Sequence, residues 1–162
     1  MKKDFCEWWT PKKIAEHNAE WLRQKTYEEL SQRVIAVMMK YKLRSVIELG
    51  CGAGHVGGLV AHWGVDYLGI DACPDMIKLA TLSNPGVEFR CENIRTLGDY
   101  TADLVCSFAV LKHFSNEDFP EILKRCAPLA ISDCSRCRLH SQGRVWKIPM
   151  TPTGTHGQQS QP

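Results

Sequence analysis

No stretch of the 162-residue chain is apolar over the roughly 20 residues that a membrane span needs, so a transmembrane helix is not expected. The N-terminus lacks the apolar segment of a secretory signal. Met1-Lys2-Lys3-Asp4 leads into tryptophan and charged residues, which points to the cytoplasm. Charge of one sign is not in excess either, and a net charge of +2 argues neither for nor against a nucleic-acid partner. No internal repeat is visible, and the length fits one domain. What is present suits a globular chain: 44% of residues are hydrophobic and 23% charged, enough to build a core.

Cysteine, by contrast, is plentiful, with eight in the chain. Cys51 falls in a glycine-rich stretch, and Cys91 and Cys106 fall in apolar runs that read as strands. Free cysteine behaves there as a small buried hydrophobe, and a disulfide framework is not expected without a secretory signal. Cys126, Cys134, Cys137 and His140 form one cluster with partial zinc-knuckle spacing. A second tight pair is missing. Unrelated thiols are therefore the expected reading, and no metal site is assigned.

The first 44 residues read as a helical extension. Thr10-Pro11 supplies a cap and a proline at the first helical position, with Ile14, Asn18, Trp21 and Leu22 near one face. Thr26-x-x-Glu29 is a capping-box signature, followed by Leu30, Val34, Val37, Met38 and Tyr41 at helical spacing. Residues 45–133 then alternate strand and helix. Strands are expected at Val46–Leu49, Tyr67–Asp71, Val87–Glu92, Ala102–Phe108 and Leu129–Ser132. Helices are expected from Gly54 to Trp63, from Pro74 through Ala80, and after Ser115-x-x-Asp118 through Phe119, Ile122 and Leu123. Such alternation implies an α/β, doubly wound sheet of parallel strands covered on both faces, with ligands at the strands' carboxyl ends. The expected order is 3-2-1-4-5, with at most one extra antiparallel strand near Val145–Met150. A homodimer through the fifth strand's open edge is one expected assembly. Residues 134–162 form an atypical, partly disordered tail. Arg136, Arg138, Arg144 and Lys147 make it basic, which is read as solvation rather than as a nucleic-acid contact.

The stretch Val46-Ile47-Glu48-Leu49-Gly50-Cys51-Gly52-Ala53-Gly54-His55-Val56-Gly57-Gly58 fits two cofactor patterns. Gly52 to Gly57 matches the dinucleotide pattern GxGxxG. Glu48 to Gly54 matches the nucleoside-binding turn of methyltransferases. Both need glycine for a tight turn and close backbone approach. They differ in charge: a pyrophosphate prefers a helix N-terminus free of carboxylate, whereas Glu48 suits a cationic ligand. Asp71, at the end of the second strand, can accept hydrogen bonds from ribose hydroxyls under either reading.

From Ser45 to Asp133 the chain resembles the class I S-adenosylmethionine-dependent methyltransferases, with their Rossmann-like fold. Glu48-Leu49-Gly50-Cys51-Gly52-Ala53-Gly54 is similar to the family's first motif. Gly69-Ile70-Asp71 with Pro74-Asp75-Met76 resembles the second, and Val87-Glu88-Phe89 to Glu92-Asn93-Ile94 the third-strand segment, where the family usually has Asp in place of Asn93. Asp103 to Phe114 resembles the fourth-strand motif. The resemblance implies S-adenosylmethionine as cofactor and S-adenosylhomocysteine as product. It implies a binding set of Glu48, Gly50, Cys51, Gly52, Gly54, Asp71, Ala72, Met76, Asn93, Ile94, Ser107 and Phe108. Met76 would lie against the adenine, and His113 would lie toward the substrate. His113 is the candidate general base, with packing of its loop as the alternative. Trp8, Trp9 and Tyr27 are candidate lid or substrate residues, with ordinary packing as the alternative.

The expected function is in-line methyl transfer to a small-molecule acceptor. The residues after Asp133 do not read as the helix and antiparallel strand pair that end the family's fold, so binding of the cofactor without transfer is the second expectation. A nicotinamide-dependent oxidoreductase is the third. No Asn-Pro-Pro-Tyr-like element follows the fourth strand, where Ser107-Phe108-Ala109-Val110 stands, and methylation of DNA bases is disfavoured.

Overall fold

A computed structural model describes residues 8–98, 100–110 and 113–114, together with the backbone of residues 129–132 and 144–147. Helices α1 (Pro11–Gln24) and α2 (Thr26–Tyr41) precede strand β1 (Ser45–Leu49). Helix α3 (His55–Ala61), strand β2 (Asp66–Asp71), helix α4 (Pro74–Ser83) and strand β3 (Glu88–Cys91) follow. A short 3-10 turn at Ile94–Thr96 leads to β4 (Leu104–Ser107), then to β5 (Leu129–Ser132) and β6 (Arg144–Lys147).

The sheet order is β3-β2-β1-β4-β5-β6. The first five strands are parallel, in the order expected from the sequence. The sixth differs from expectation. It runs from Arg144 to Lys147 and pairs with β5 in parallel, Leu129 opposite Arg144 and Ser132 opposite Lys147, whereas an antiparallel strand was expected. Alternation of side chains along a strand reads the same in either direction, so the pattern in the tail holds no information about orientation. The β5 edge expected to be open is thus paired with β6, which removes the reason for a dimer through that edge. The expected helix at 115–123 lies outside the described residues.

The central strands are buried, as covering on both faces requires. On one face Leu30, Val34 and Met38 of α2 and Val56 and Val60 of α3 pack against Val46, Tyr67 and Leu104. On the other, Ile47, Leu49, Ile70 and Val105 meet Ile94, Leu97 and Ala102. The starts of β1 and β4 are tied together by Asp103. Its Oδ2 accepts from the amides of Arg44 and Ser45 at 2.8 and 3.1 Å, and these bonds hold its carboxyl below the usual carboxylate range.

The junction of α1 and α2 departs from the sequence reading. Thr10 caps α1, its hydroxyl accepting from the Lys13 amide at 3.4 Å, but no capping box forms at Thr26. The residue before α2 is Lys25 in the left-handed region, φ 54°. It ends α1 and begins α2, so the two helices meet without room for a side-chain cap.

Candidate active site

The carboxyl ends of β1, β2 and β4 open on one cavity of about 590 Å³, within the range of small-molecule sites. Its floor is the turn that leaves β1. Gly50, Gly52 and Gly54 have φ of 77°, 53° and 76°. The turn is laced to β2: the amides of Gly50 and Cys51 donate to the Ile70 carbonyl at 2.6 and 3.1 Å, and the Gly52 amide donates to Asp71 Oδ2 at 3.0 Å. At Gly50 a Cβ would drive into Val110. At Gly52 it would meet nothing within 4 Å, so the turn there faces open space.

Two carboxyl groups stand in this floor, in different surroundings. Asp71 accepts from Gly52 on one oxygen and from the Cys73 amide at 2.9 Å on the other. Burial raises its pKa, and the amides of Cys73, Gly52 and Ala72 oppose the rise. Glu48 is only 3% exposed and, among the described residues, has one side-chain hydrogen-bond partner, the Tyr67 hydroxyl, which donates to Oε2 at 2.5 Å. Burial pushes its pKa up to about 8; the Tyr67 bond opposes this and the Asp71 charge adds to it. Tyr67 reaches Glu48 because Gly57 above it has no side chain; a Cβ there would enter the Tyr67 ring.

The wall on the β2 side comprises Ala72, Cys73 and Met76, the last at 3% exposure. Asn93, Ile94 and Arg95 follow from β3. The Asn93 side-chain oxygen accepts from the Arg95 amide at 2.9 Å and so caps the 3-10 turn. After β4 come Phe108, Ala109 and Val110, then His113 and Phe114. Ala109 has φ 58°, a left-handed conformation uncommon for a residue with a Cβ, and such strain gathers at functional sites. His113 is exposed at the mouth, and the Arg95 guanidinium lies 5.0 Å from the Phe114 ring centre.

Helix α1 forms the roof. Ile14 packs with Ala53, Cys73 and Met76, and Asn18 accepts a hydrogen bond from His55 Nε2. Burial, then the neighbouring His17, lowers the His55 pKa. Trp9 and Trp21 flank His17 with ring centres 5.0 and 5.9 Å away, and Trp8 meets Trp9 edge-on at 4.8 Å.

Of the residues expected at the site, Glu48, Gly50, Cys51, Gly52, Asp71, Ala72, Met76, Asn93, Ile94, Phe108, His113, Trp8 and Trp9 all line this cavity. Three others do not. Gly54 precedes α3 and lies against Phe89 and Asn84. The Ser107 hydroxyl donates to the Leu49 carbonyl at 2.9 Å inside the sheet. Tyr27 packs against His55, ring centres 5.3 Å apart. The sequence reading missed His17, Asn18, Trp21, Cys73, Arg95 and Phe114. The helical spacing of Asn18 and Trp21, placed on one face with Ile14, was the available signal for the roof.

The described cysteines, Cys51, Cys73, Cys91 and Cys106, are free thiols. No group of three or more candidate ligands for a metal ion occurs among the described residues. The cluster of Cys126, Cys134, Cys137 and His140 lies outside them. Among the described residues no helix is long and apolar enough to cross a membrane.

A methyltransferase domain model matches residues 46–130, just over half of the chain. The chain belongs to that family. It is 26% identical, over 179 aligned positions, to a ubiquinone biosynthesis O-methyltransferase of Bradyrhizobium diazoefficiens, covering 96% of this chain and 70% of that protein. It is 28% identical to the protein of the same name from Bordetella avium, covering 76% of this chain and 52% of that one. Among solved structures, the plantazolicin methyltransferase in complex with S-adenosylhomocysteine superposes with a TM-score of 0.59 at 19% identity, over 71% of this chain and 48% of its own. The magnesium protoporphyrin IX methyltransferase of Synechocystis with bound S-adenosylmethionine gives 0.53 at 21%, over 64% and 52%. These superpositions concern the fold. The chain spans about half the length of those two proteins.

Proposed function

We propose that this chain binds S-adenosylmethionine along the carboxyl edge of its sheet and directs the methyl group in line to a small-molecule acceptor. The observation that carries this reading is Glu48: a buried carboxylate in the floor of the cavity, beside a left-handed glycine turn that faces open space at Gly52. That floor fits a ligand with a cation and a nucleoside. It fits a pyrophosphate poorly, because Asp71, and Glu48 wherever it is ionised, would repel one.

Glu48 would hold the ammonium end. Asp71 keeps lone pairs for ribose hydroxyls while its two oxygens hold the turn. Met76 and Ile94 would enclose the adenine, with Asn93 at its edge. When bound, the cofactor supplies a methyl group already activated by positive sulfur. The roof of α1 with Trp8, Trp9 and Trp21 excludes water and orients the acceptor, which is most of what such a transfer asks of a protein. His113, which lines the same cavity, would take a proton where the acceptor atom carries one of high pKa. Incubation with label in the methyl group and a panel of phenols, amines and carboxylic acids tests the transfer. Label in at least one acceptor is the expected result. Binding of S-adenosylhomocysteine with no label in any acceptor would favour a binding protein.

A further inference from the structure

Among the described residues, the groups that interact with Glu48 leave its charge uncompensated. The Tyr67 hydroxyl donates to it and Asp71 adds a second negative charge, both from β2; Cys51 faces it from the turn and Cys106 from β4. Among the described residues it has no hydrogen bond or ion pair with a cationic side chain. A buried carboxylate in that position needs either a cation or a proton, since an isolated charge out of water is far costlier than a neutral acid.

We infer that Glu48 is the specificity-determining group of this site through proton exchange: it holds a proton in the free protein and releases it when a ligand's ammonium takes that place. This rests on the cofactor reading above and goes beyond it, because it makes binding of the amino-acid end proton-linked and binding of a bare nucleoside not. The balance is simple. The carboxyl O–H bond breaks, the proton passes to solvent, and the carboxylate pairs with the incoming ammonium. The carboxyl's pKa near 8 in the free protein agrees with this exchange near neutral pH.

Two ligands separate Glu48 from its neighbours. S-adenosylhomocysteine carries the ammonium. 5′-Methylthioadenosine keeps the adenine, ribose and sulfur but lacks the amino-acid end and is neutral. Any proton that Asp71 gains or loses at the ribose appears with both ligands, so the difference between them reports on Glu48. The experiment is titration calorimetry in buffers of different ionisation enthalpy, at pH 6.5 and 8.5. Adenosylhomocysteine is expected to release close to one more proton than methylthioadenosine at pH 6.5, and a much smaller excess at pH 8.5. Its affinity is expected to weaken roughly tenfold per pH unit below 8, while that of methylthioadenosine stays nearly constant. In Glu48→Gln the extra proton should vanish while methylthioadenosine still binds, which also shows that the variant is folded.

Equal proton release by the two ligands, or an extra proton that survives in Glu48→Gln, overturns the inference while leaving the cofactor reading intact. Failure of adenosylhomocysteine to bind at pH 8.5 overturns the cofactor reading and the inference with it.

Discussion

The Gly52 amide donates to Asp71 Oδ2 at 3.0 Å, so the turn after the first strand is held by the residue that ends the second. Asp71 therefore does two things at once: it shapes the floor of the cavity and offers its remaining lone pairs to a ligand. Asp71→Ala is expected to weaken binding of S-adenosylhomocysteine by roughly 10- to 100-fold, on about 1.5–3 kcal/mol for hydrogen bonds to a charged group. It should also lower stability, since the amides of Gly52 and Cys73 lose their acceptor. Calorimetry together with denaturant unfolding checks both, and an unchanged affinity in the folded variant would remove Asp71 from the ribose site.

The two glycines that flank Cys51 should respond differently to alanine. Gly50→Ala adds a Cβ in a left-handed backbone and drives it into Val110, so a loss of more than about 2 kcal/mol of stability is expected. Gly52→Ala meets no protein atom and suffers only the backbone penalty of about 1–2 kcal/mol, yet its methyl projects into open space where a ligand would lie. It should fold and bind adenosylhomocysteine poorly. Thermal melts and ligand titration of both variants distinguish the two effects.

Stability should fall with pH in a window set by Glu48. Its pKa rises from an ordinary 4.5 to about 8 on folding, so the native state keeps a proton that the unfolded state gives up. The stabilisation is complete below pH 4.5 and is lost as pH rises through 8. The lowered pKa of His55 acts in the opposite direction, but only up to its ordinary 6.5. The raised thiols of Cys51 and Cys106 act only above their ordinary 9.0. Between pH 6.5 and 8.5 the unfolding free energy should fall by about 2 kcal/mol. Glu48→Gln, which mimics the neutral acid, should flatten the profile there; a slope unchanged in that variant would assign it to another group.

The roof supplies a fourth test. Asn18 links α1 to the first residue of α3 through His55, and Ile14 packs beside it on Ala53 and Met76. Asn18→Ala is expected to cost about 0.5–1.5 kcal/mol and to speed release of adenosylhomocysteine more than it slows association. Stopped-flow displacement measures both rates.

The order of the first five strands was legible because the glycine turn after Leu49 and Asp71 at the end of the second strand have to lie beside one another at the switch point, which makes the first strand central. The position of Glu48 in the floor followed from the same registration. The burial of its carboxylate by Tyr67 did not, because Tyr67 sits 19 positions away and reaches it only across the β1–β2 pairing and beneath Gly57. The left-handed Ala109 was hidden for another reason, since alanine gives no hint of the conformation that glycine or asparagine would. The joint at Lys25 was misread because Thr26 and Glu29 carry the letters of a capping box while the chain turns one residue earlier. The direction of β6 was out of reach because direction depends on the connection before it, not on the strand's own residues.

The central claim is that this cavity selects a nucleoside that bears an ammonium group and not a dinucleotide, and titration calorimetry with S-adenosylhomocysteine and with NAD at pH 8.5, where Glu48 is mostly ionised, tests it most directly. Saturable binding of adenosylhomocysteine with no detectable heat from NAD is the result predicted by a carboxylate floor of Glu48 and Asp71. Binding of NAD with none of adenosylhomocysteine would contradict it.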